Sequence, residues 1–354
     1  MKKTVLIFTL IFFLAAASWF LIKGWNKKNL QEEAAVDFSA STNVEENKDR
    51  QATIMFFGDI MLDRQVARLT KKSGDFAYPF LFIEDIFNIA DANVANLEGP
   101  ITSFDSEAEK NNSMRFTINP LFVPELAERF AALSLANNHT LDFGEEGLRE
   151  TKQNLSKEDL LFFGDYLNRG DNISVVLRKN DIKIGLVGYH ALAGAGITNV
   201  VLDIEKLKEI CDFVVVMPHW GEEYELLPSE SQLTDAKALI DAGADAVVGG
   251  HPHVAQPVGI YKGKAIFYSL GNFIFDQYFS EEVMKGFAVK MALNISEEGK
   301  SIKCELVPIQ NNRASQPGVM GEAEAVNFVN SITDLSDISE KFKEELRLFH
   351  SLSL

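Results

Sequence analysis

Two histidines separated by one proline, His251-Pro252-His253, follow the run Asp245 to Val248 and the pair Gly249-Gly250. The run is rich in β-branched residues and reads as a buried strand. The glycines let the backbone turn sharply past its end. Both imidazoles are thereby presented at one strand end, which in open α/β sheets is the edge where ligands bind. Imidazole is the commonest side chain for catalytic transition metals, and Pro252 fixes the local φ and limits how far the rings can wander. The chain holds six histidines, and four of them (His139, His219, His251 and His253) sit in motifs of the same shape, which sets the metal reading above that of a loop with two surface histidines.

The same arrangement recurs along the chain. Asp59 closes the apolar run Thr53 to Phe57, and Asn96 and Glu98 close Ala92 to Leu97. Asn138 and His139 follow Ala131 to Ala136, and His219 follows Phe213 to Met217. Oxygen and imidazole donors that converge from five strand ends make a mixed N/O site. Such a site suits manganese, iron or zinc more than magnesium or calcium. Two ions bridged by one carboxylate would polarise a substrate oxygen and lower the pKa of a water between them. Plainer roles exist for each residue: Asp59 as a helix cap, Asn138 as a turn residue, His219 as a packed histidine beside Trp220. Together these would require one coincidence five times over. Around this set, Asn96, Arg115 in the run Met114–Ile118, and Asn272 after a Gly-rich turn are candidates for gripping substrate. An arginine there could hold an anion bidentately, or lie on the surface. Asn272 could orient a ligand or serve only the turn. Asp142 is placed to hold His139 by a hydrogen bond. His190, after a strand, reads as a packed histidine or a further site residue.

Elements that alternate strand and helix must position these groups, which defines an α/β fold. Helical patterns cover Leu62–Lys71, Pro79–Asn88, Pro120–Phe130, the stretch from Gly144 to about Leu155, Asp203–Ile210 and Ser229–Ala242. Ser229 reads as an N-terminal cap and Gly243 as the stop. Paired strands are expected at 172–179 with 181–188, at 254–261 with 264–269, and at 287–295 with 301–309. These hairpins imply mixed rather than purely parallel sheets. No internal repeat at a fixed period is visible. Residues 52–315 read as the folded domain and 316–354 as a polar, helix-prone extension.

The 354 residues are 46% hydrophobic and 24% charged, an ordinary globular composition. A net charge of −17 makes the chain a poor partner for nucleic acid. Cys211 and Cys304 lie far apart without metal spacing, and buried free thiols are the default. Near the N-terminus, Lys2 and Lys3 precede an unbroken apolar run from Val5 to Ile22, and Lys23, Lys27 and Lys28 close it. Such a run can just cross a hydrocarbon core. A signal anchor and a signal peptide cut after Ala15-Ala16-Ala17 both fit. The apolar residues continuing to Ile22 favour the anchor, with residues 1–23 as a transmembrane helix, 24–51 as a flexible stalk, and the domain outside the cell membrane.

Taken in order, Gly58-Asp59-Ile60-Met61, Asn96-Leu97-Glu98-Gly99, Leu135-Ala136-Asn137-Asn138-His139, His219-Trp220-Gly221, Gly250-His251-Pro252-His253 and Ser269-Leu270-Gly271-Asn272-Phe273 form a series that resembles the CapA family. These are PgsA-like poly-γ-glutamate capsule synthesis proteins within the calcineurin-like metallophosphoesterase superfamily. The resemblance covers about residues 53 to 310. It implies a four-layer α/β/β/α sandwich of two mixed sheets with one or two divalent ions at one edge. It also implies a membrane-anchored, extracytoplasmic protein that works with a capsule synthase and exporter, on an anionic polymer or a small-molecule substrate. On that pattern Asp59 and His253 resemble ligands of a first metal. Glu98 sits where a bridging aspartate is expected, and Asn138, His219 and His251 resemble ligands of a second. His139 resembles the histidine that contacts the scissile group, with Asp142 behind it as the other member of a catalytic pair. Two positions depart from the pattern: Met61 stands where a histidine is usual, and Glu98 replaces a shorter carboxylate. Both changes fall beside the first metal, so the expectation is one tight ion held by Glu98, Asn138, His219 and His251.

Overall fold

The computed structural model describes residues 49–107, 114–170 and 172–354. The apolar run Val5–Ile22 lies outside them, as does nearly all of the expected stalk. Among the described residues no helix is long and apolar enough to cross a membrane.

The first sheet grows from β1 (Arg50–Ile60), β2 (Ala92–Leu97), β3 (Ala132–Ser134) and β4 (Leu161–Phe163), which run parallel in that order. The second holds β5 (Ser174–Lys179), β6 (Ile182–His190), β7 (Phe213–His219), β8 (Ala246–Val248), β9 (Val258–Tyr261) and β10 (Lys264–Phe267), in the order β5-β6-β7-β8-β10-β9. Returning to the first sheet, β11 (Asn272–Ile274) pairs parallel with β1, while β12 (Lys285–Ser296) and β13 (Gly299–Asn311) extend it antiparallel on the other side. Both sheets are therefore mixed.

Strand sequence explains the layering. Alternate side chains of a strand point to opposite faces, and β1 is apolar on both. Ile54 and Phe56 join Leu186, Val215, Val248 and Phe267 of the second sheet in a core between the sheets. Met55 and Phe57 point the other way, into a core shared with Val66, Phe122, Leu126 and Leu155 of covering helices. On the far side, Val187, Val214, Val216 and Val247 of the second sheet pack on Val200, Ile204, Leu207 and Leu239. Three cores between four layers give the α/β/β/α order. The helix Glu230–Asp241 starts at a capping box in which Ser229 and Gln232 satisfy each other's backbone N–H, and it stops before Gly243 at φ 118°.

Several expectations are corrected. Strand β1 begins at Arg50, inside the expected stalk. The segment Pro79–Asn88 is two 3₁₀ turns, Tyr78–Phe80 and Glu84–Asn88, not a helix. Its buried residues Phe80, Ile83 and Ile86 recur every three positions, with i→i+3 bonds from Ile83 N to Phe80 O and from Ile86 N to Ile83 O, which is the 3₁₀ period. The run Met114–Ile118 is no strand, since it pairs only through Ile118 with Ile101. The residues 316–354 carry two helices, Glu322–Leu335 and Glu340–Phe349, but also β14 (Pro317–Val319) and β15 (Ser351–Ser353), both paired with β13. Val329, Ile332, Leu346 and Leu352 from this region lie in the core between the sheets.

Candidate metal centre

Parallel pairing lines up the strand ends that carry the candidate residues. Asp59 is in register with Asn96, and Asn96 with Ser134, three residues before Asn137. In the second sheet His190 is in register with His219, and His219 bridges Gly250. The register of β1 shifts beside Asp59, an irregularity of the kind that re-aims a side chain. Gly58 is needed there, because a Cβ would lie 1.9 Å from the carbonyl oxygen of Gly271. Gly250 is needed equally: its Cβ would lie 2.6 Å from Asp59 Oδ1. His251 (φ 94°) and His253 (φ 58°) occupy the left-handed region, a strain of about 1–3 kcal/mol each that surrounding structure must hold.

The two sheets meet through these side chains. Asp59 accepts from Asn96 Nδ2 at 2.8 Å and from the backbone N–H of His251 at 3.1 Å. His253 donates from Nδ1 to Asn272 Oδ1 at 3.0 Å, with Asp59 Oδ2 at 3.4 Å, and its Nε2 lies 3.6 Å from Glu98 Oε1. Ligand atoms of Asp59, Glu98 and His253 all lie within 4.8 Å of one another, and all three residues are buried. A second trio with the same spread is Glu223, His251 and His253. Glu223 was not among the sequence candidates. Its only signal is a carboxylate four residues after His219, in a loop with no periodicity to place it.

The other candidates sort themselves around this centre. His219 accepts from Asn96 Nδ2 on Nδ1 at 3.3 Å and donates from Nε2 to Asn138 Oδ1 at 2.8 Å. Its ring is 4.8 Å from that of His251 and 6.2 Å from that of His190. Of the expected quartet Glu98, Asn138, His219 and His251, His219 thus meets Asn138 and lies beside His251, while Glu98 groups with Asp59 and His253. At 61, where the motif pattern has a histidine, Met61 is buried in the outer core, and its sulfur accepts the Asp63 N–H at 3.1 Å. His139 stacks on Phe116 at 4.1 Å, donates from Nδ1 to Asp142 Oδ2 at 2.8 Å, and aims Nε2 at Glu98 Oε1 across 3.8 Å. Asp142 also accepts the Phe116 N–H at 2.7 Å, which fixes its carboxylate.

The three substrate candidates each have protein partners. Asn96 spends its amide on Asp59 and His219, and its oxygen accepts from Asn137. Asn272 is buried, with its amide nitrogen on Gln277 and the Val283 carbonyl and its oxygen on His253. Arg115 is 47% exposed, paired with Glu107 at 2.8 Å and with the Asp142 carbonyl. The arginine over the aromatic wall of the site is Arg64, 4.9 Å from the Phe116 ring and 5.5 Å from that of Phe275, and it is clasped by Asp276. His190 donates from Nδ1 to the Tyr166 carbonyl at 2.9 Å.

Electrostatics show what the centre lacks. Burial pushes the Glu98 carboxyl up to about 7, against the pull of His253 and His139. Burial drives His253 down, yet the Glu98 and Asp59 carboxylates override it and hold the imidazole above its ordinary value. Burial, then the neighbouring imidazoles, hold His219 well below the usual range, and burial takes His251 down to about 4. Among the described residues neither oxygen of Glu98 makes a hydrogen bond, nor does Nδ1 of His251. A buried carboxylate without donors is costly. A divalent cation is what these atoms fit: two carboxylates and imidazoles, an N/O set of the type that manganese, iron and zinc accept.

A four-layer α/β protein with a buried carboxylate–imidazole centre across two sheet edges is the class that fold and site define. The family model for the bacterial capsule synthesis protein PGA_cap matches residues 53–277, and the chain belongs to that family. It is 35% identical over 243 residues to the PGA biosynthesis protein CapA of Bacillus subtilis (strain 168), covering 63% of this chain and 63% of that one. It is 34% identical over 262 residues to the capsule biosynthesis protein CapA of Bacillus anthracis, covering 66% and 62%. The chain thus spans less than two thirds of the length of either relative. Among solved structures, a hypothetical protein from Thermus thermophilus aligns over 72% of this chain and 99% of its own, at 15% identity and a TM-score of 0.45, a likeness too loose to argue from.

Proposed function

We propose that this chain serves the synthesis or export of poly-γ-glutamate, or a related anionic polymer of the cell envelope, as a metal-dependent hydrolase or transferase acting on an amide or phosphoester. The observation that carries the metal part is the pair of unbonded, buried Glu98 oxygens beside Asp59 and His253. Family membership supports the capsule part. Glu98, Asp59 and His253 would hold the ion, with His251, His219 and Asn138 beside it for a second. A bound ion supplies Lewis acidity toward a substrate oxygen. The chain's own residues do the rest. His139 has its Nδ1 proton fixed on Asp142, so its Nε2, which faces Glu98, is the group to carry a proton to a leaving atom. Phe116 and Phe275 wall that side and limit water.

The proposal includes place and partners. The run Val5–Ile22 holds the chain in the cell membrane with the domain outside, beside membrane proteins of the capsule synthase and exporter. Metal analysis of the full-length chain grown in metal-replete medium tests the core of this reading: a stoichiometry of zero ends it. Turnover of poly-γ-glutamate and of a chromogenic phosphodiester with manganese, compared between wild type and His139→Ala, then separates an enzyme from a polymer-binding partner. A partner without catalysis keeps its capsule function when His139 is removed.

A further inference from the structure

A carboxylate outside the expected ligand set lies beside the centre. Met61 turns its thioether into the outer core and bonds the Asp63 N–H, so nothing from β1 beyond Asp59 reaches the centre. On the solvent side, the loop after β7 is tied to the His251–His253 segment on both sides of Glu223. Trp220 N–H donates to Gly250 O at 3.2 Å, and Tyr224 N–H donates to Pro252 O at 2.8 Å. Tyr224 takes a left-handed backbone conformation, φ 68°, to make this second tie. Its ring lies 6.2 Å from that of His253, and its hydroxyl accepts from Gln277 at 3.2 Å. The result is an exposed carboxylate whose oxygen lies within 4.8 Å of ring nitrogens of both His251 and His253. One of those partners, His251, is buried with an unbonded Nδ1 among the described residues.

We propose that Glu223 is a metal ligand that enters from the solvent side. It completes an N/O set for a divalent first-row ion with His251 and His253, next to Asp59 and Glu98. This inference rests on the metal reading above, and the following comparison separates the two. Manganese and zinc chloride are titrated by calorimetry into the full-length wild-type chain, Glu223→Gln and Glu222→Gln. The last removes the same charge from the neighbouring exposed position. The expected result is an affinity loss of about 10-fold or more for Glu223→Gln, against less than about twofold for Glu222→Gln. X-ray absorption at the zinc edge should show one fewer light-atom ligand in Glu223→Gln. Equal, small losses in both variants overturn the ligand role while the metal reading stands. No uptake by wild type overturns both.

Discussion

The two halves of the centre solve opposite problems. On the amide side, His219 is neutral and both its nitrogens are bonded, to Asn96 and Asn138. On the carboxylate side, Asp59, Glu98 and His253 crowd together, and Glu98 has no donor at all among the described residues. In the first half the protein bonds both nitrogens of His219, while Nδ1 of His251 has no partner among the described residues. The second stores the desolvation cost of buried charge, which a cation relieves. The motif pattern pointed the other way, with Met61 weakening the Asp59 side. In the structure, charge and unmet bonding concentrate on that side.

The most severe test of this contrast is Glu98→Gln. Removing a buried charge from its partners costs about 3–5 kcal/mol, so cation affinity should fall about 1,000-fold. Asn138→Ala, on the amide side, should lower the affinity for the first ion less than about threefold. Equal losses in the two variants would erase the distinction between the halves. Proton linkage gives a second readout. Glu98 titrates at about 7 in the fold against the ordinary 4.5. A raised carboxyl favours the folded state below 4.5, and that advantage is lost as pH rises through 7. Relative to Glu98→Gln, the metal-free wild type should therefore lose on the order of 3 kcal/mol between pH 4.5 and pH 8. Urea unfolding at those two pH values measures it, and saturating manganese should flatten the profile.

His139→Ala comes next. Its Nε2 faces Glu98 from 3.8 Å, and its Nδ1 proton is committed to Asp142. Turnover should fall about 100-fold while metal content, read by elemental analysis, stays at the wild-type value. Loss of the ion together with activity would make His139 part of the carboxylate half, not a separate proton carrier. Asn272→Ala removes the acceptor that orients His253. Outer partners of this kind are worth about 10–100-fold in metal affinity, and a loss near 10-fold is expected. Gln277 and the Val283 carbonyl lose their partner too, which should cost about 1–3 kcal/mol of stability. An unchanged affinity would show that Pro252 and the backbone alone aim His253.

Strand ends were legible because their signals are local. Continuous apolar runs ended by Gly58-Asp59, by Asn96-Leu97-Glu98 or by Gly249-Gly250-His251 announce a buried strand and a turn, whatever else the chain does. Ser229 and Gly243 likewise mark the ends of their helix. Illegible were features set by distant contacts. The three-residue strands β4 and β11 carry too little pattern to stand out from loops. Met114–Ile118 has strand composition but meets a neighbour at one residue only. Which donors share an ion depends on how one sheet edge sits over the other, and no spacing along the chain encodes that. Glu223 and Arg64 escaped notice for the same reason: one rides on a loop tied to Pro252, and the other is held by Asp276, more than two hundred residues further on.

Arg115→Ala should have the smallest effect, and its smallness is informative. The sequence offered Arg115 as a side chain that could hold an anion bidentately, or lie on the surface. In the fold its guanidinium lies 4.7 Å over the Phe143 ring, donates to the Asp142 carbonyl and pairs with Glu107, with almost half of the side chain in solvent. Exposed pairs of this kind contribute about 0–1 kcal/mol. Metal affinity should not move, and the KM for an anionic polymer should change less than about twofold. Arg64 stands nearer the carboxylate half, above Phe116 and Phe275, yet Asp276 neutralises most of its charge there. On the proposed reading, with both arginines paired, a bound cation would be the main attraction for an anionic substrate. Raising salt should then weaken polymer binding to Arg115→Ala and wild type by the same factor. A steeper salt dependence in the wild type would restore Arg115 to the substrate's path and give the centre a positive arm beyond the ion.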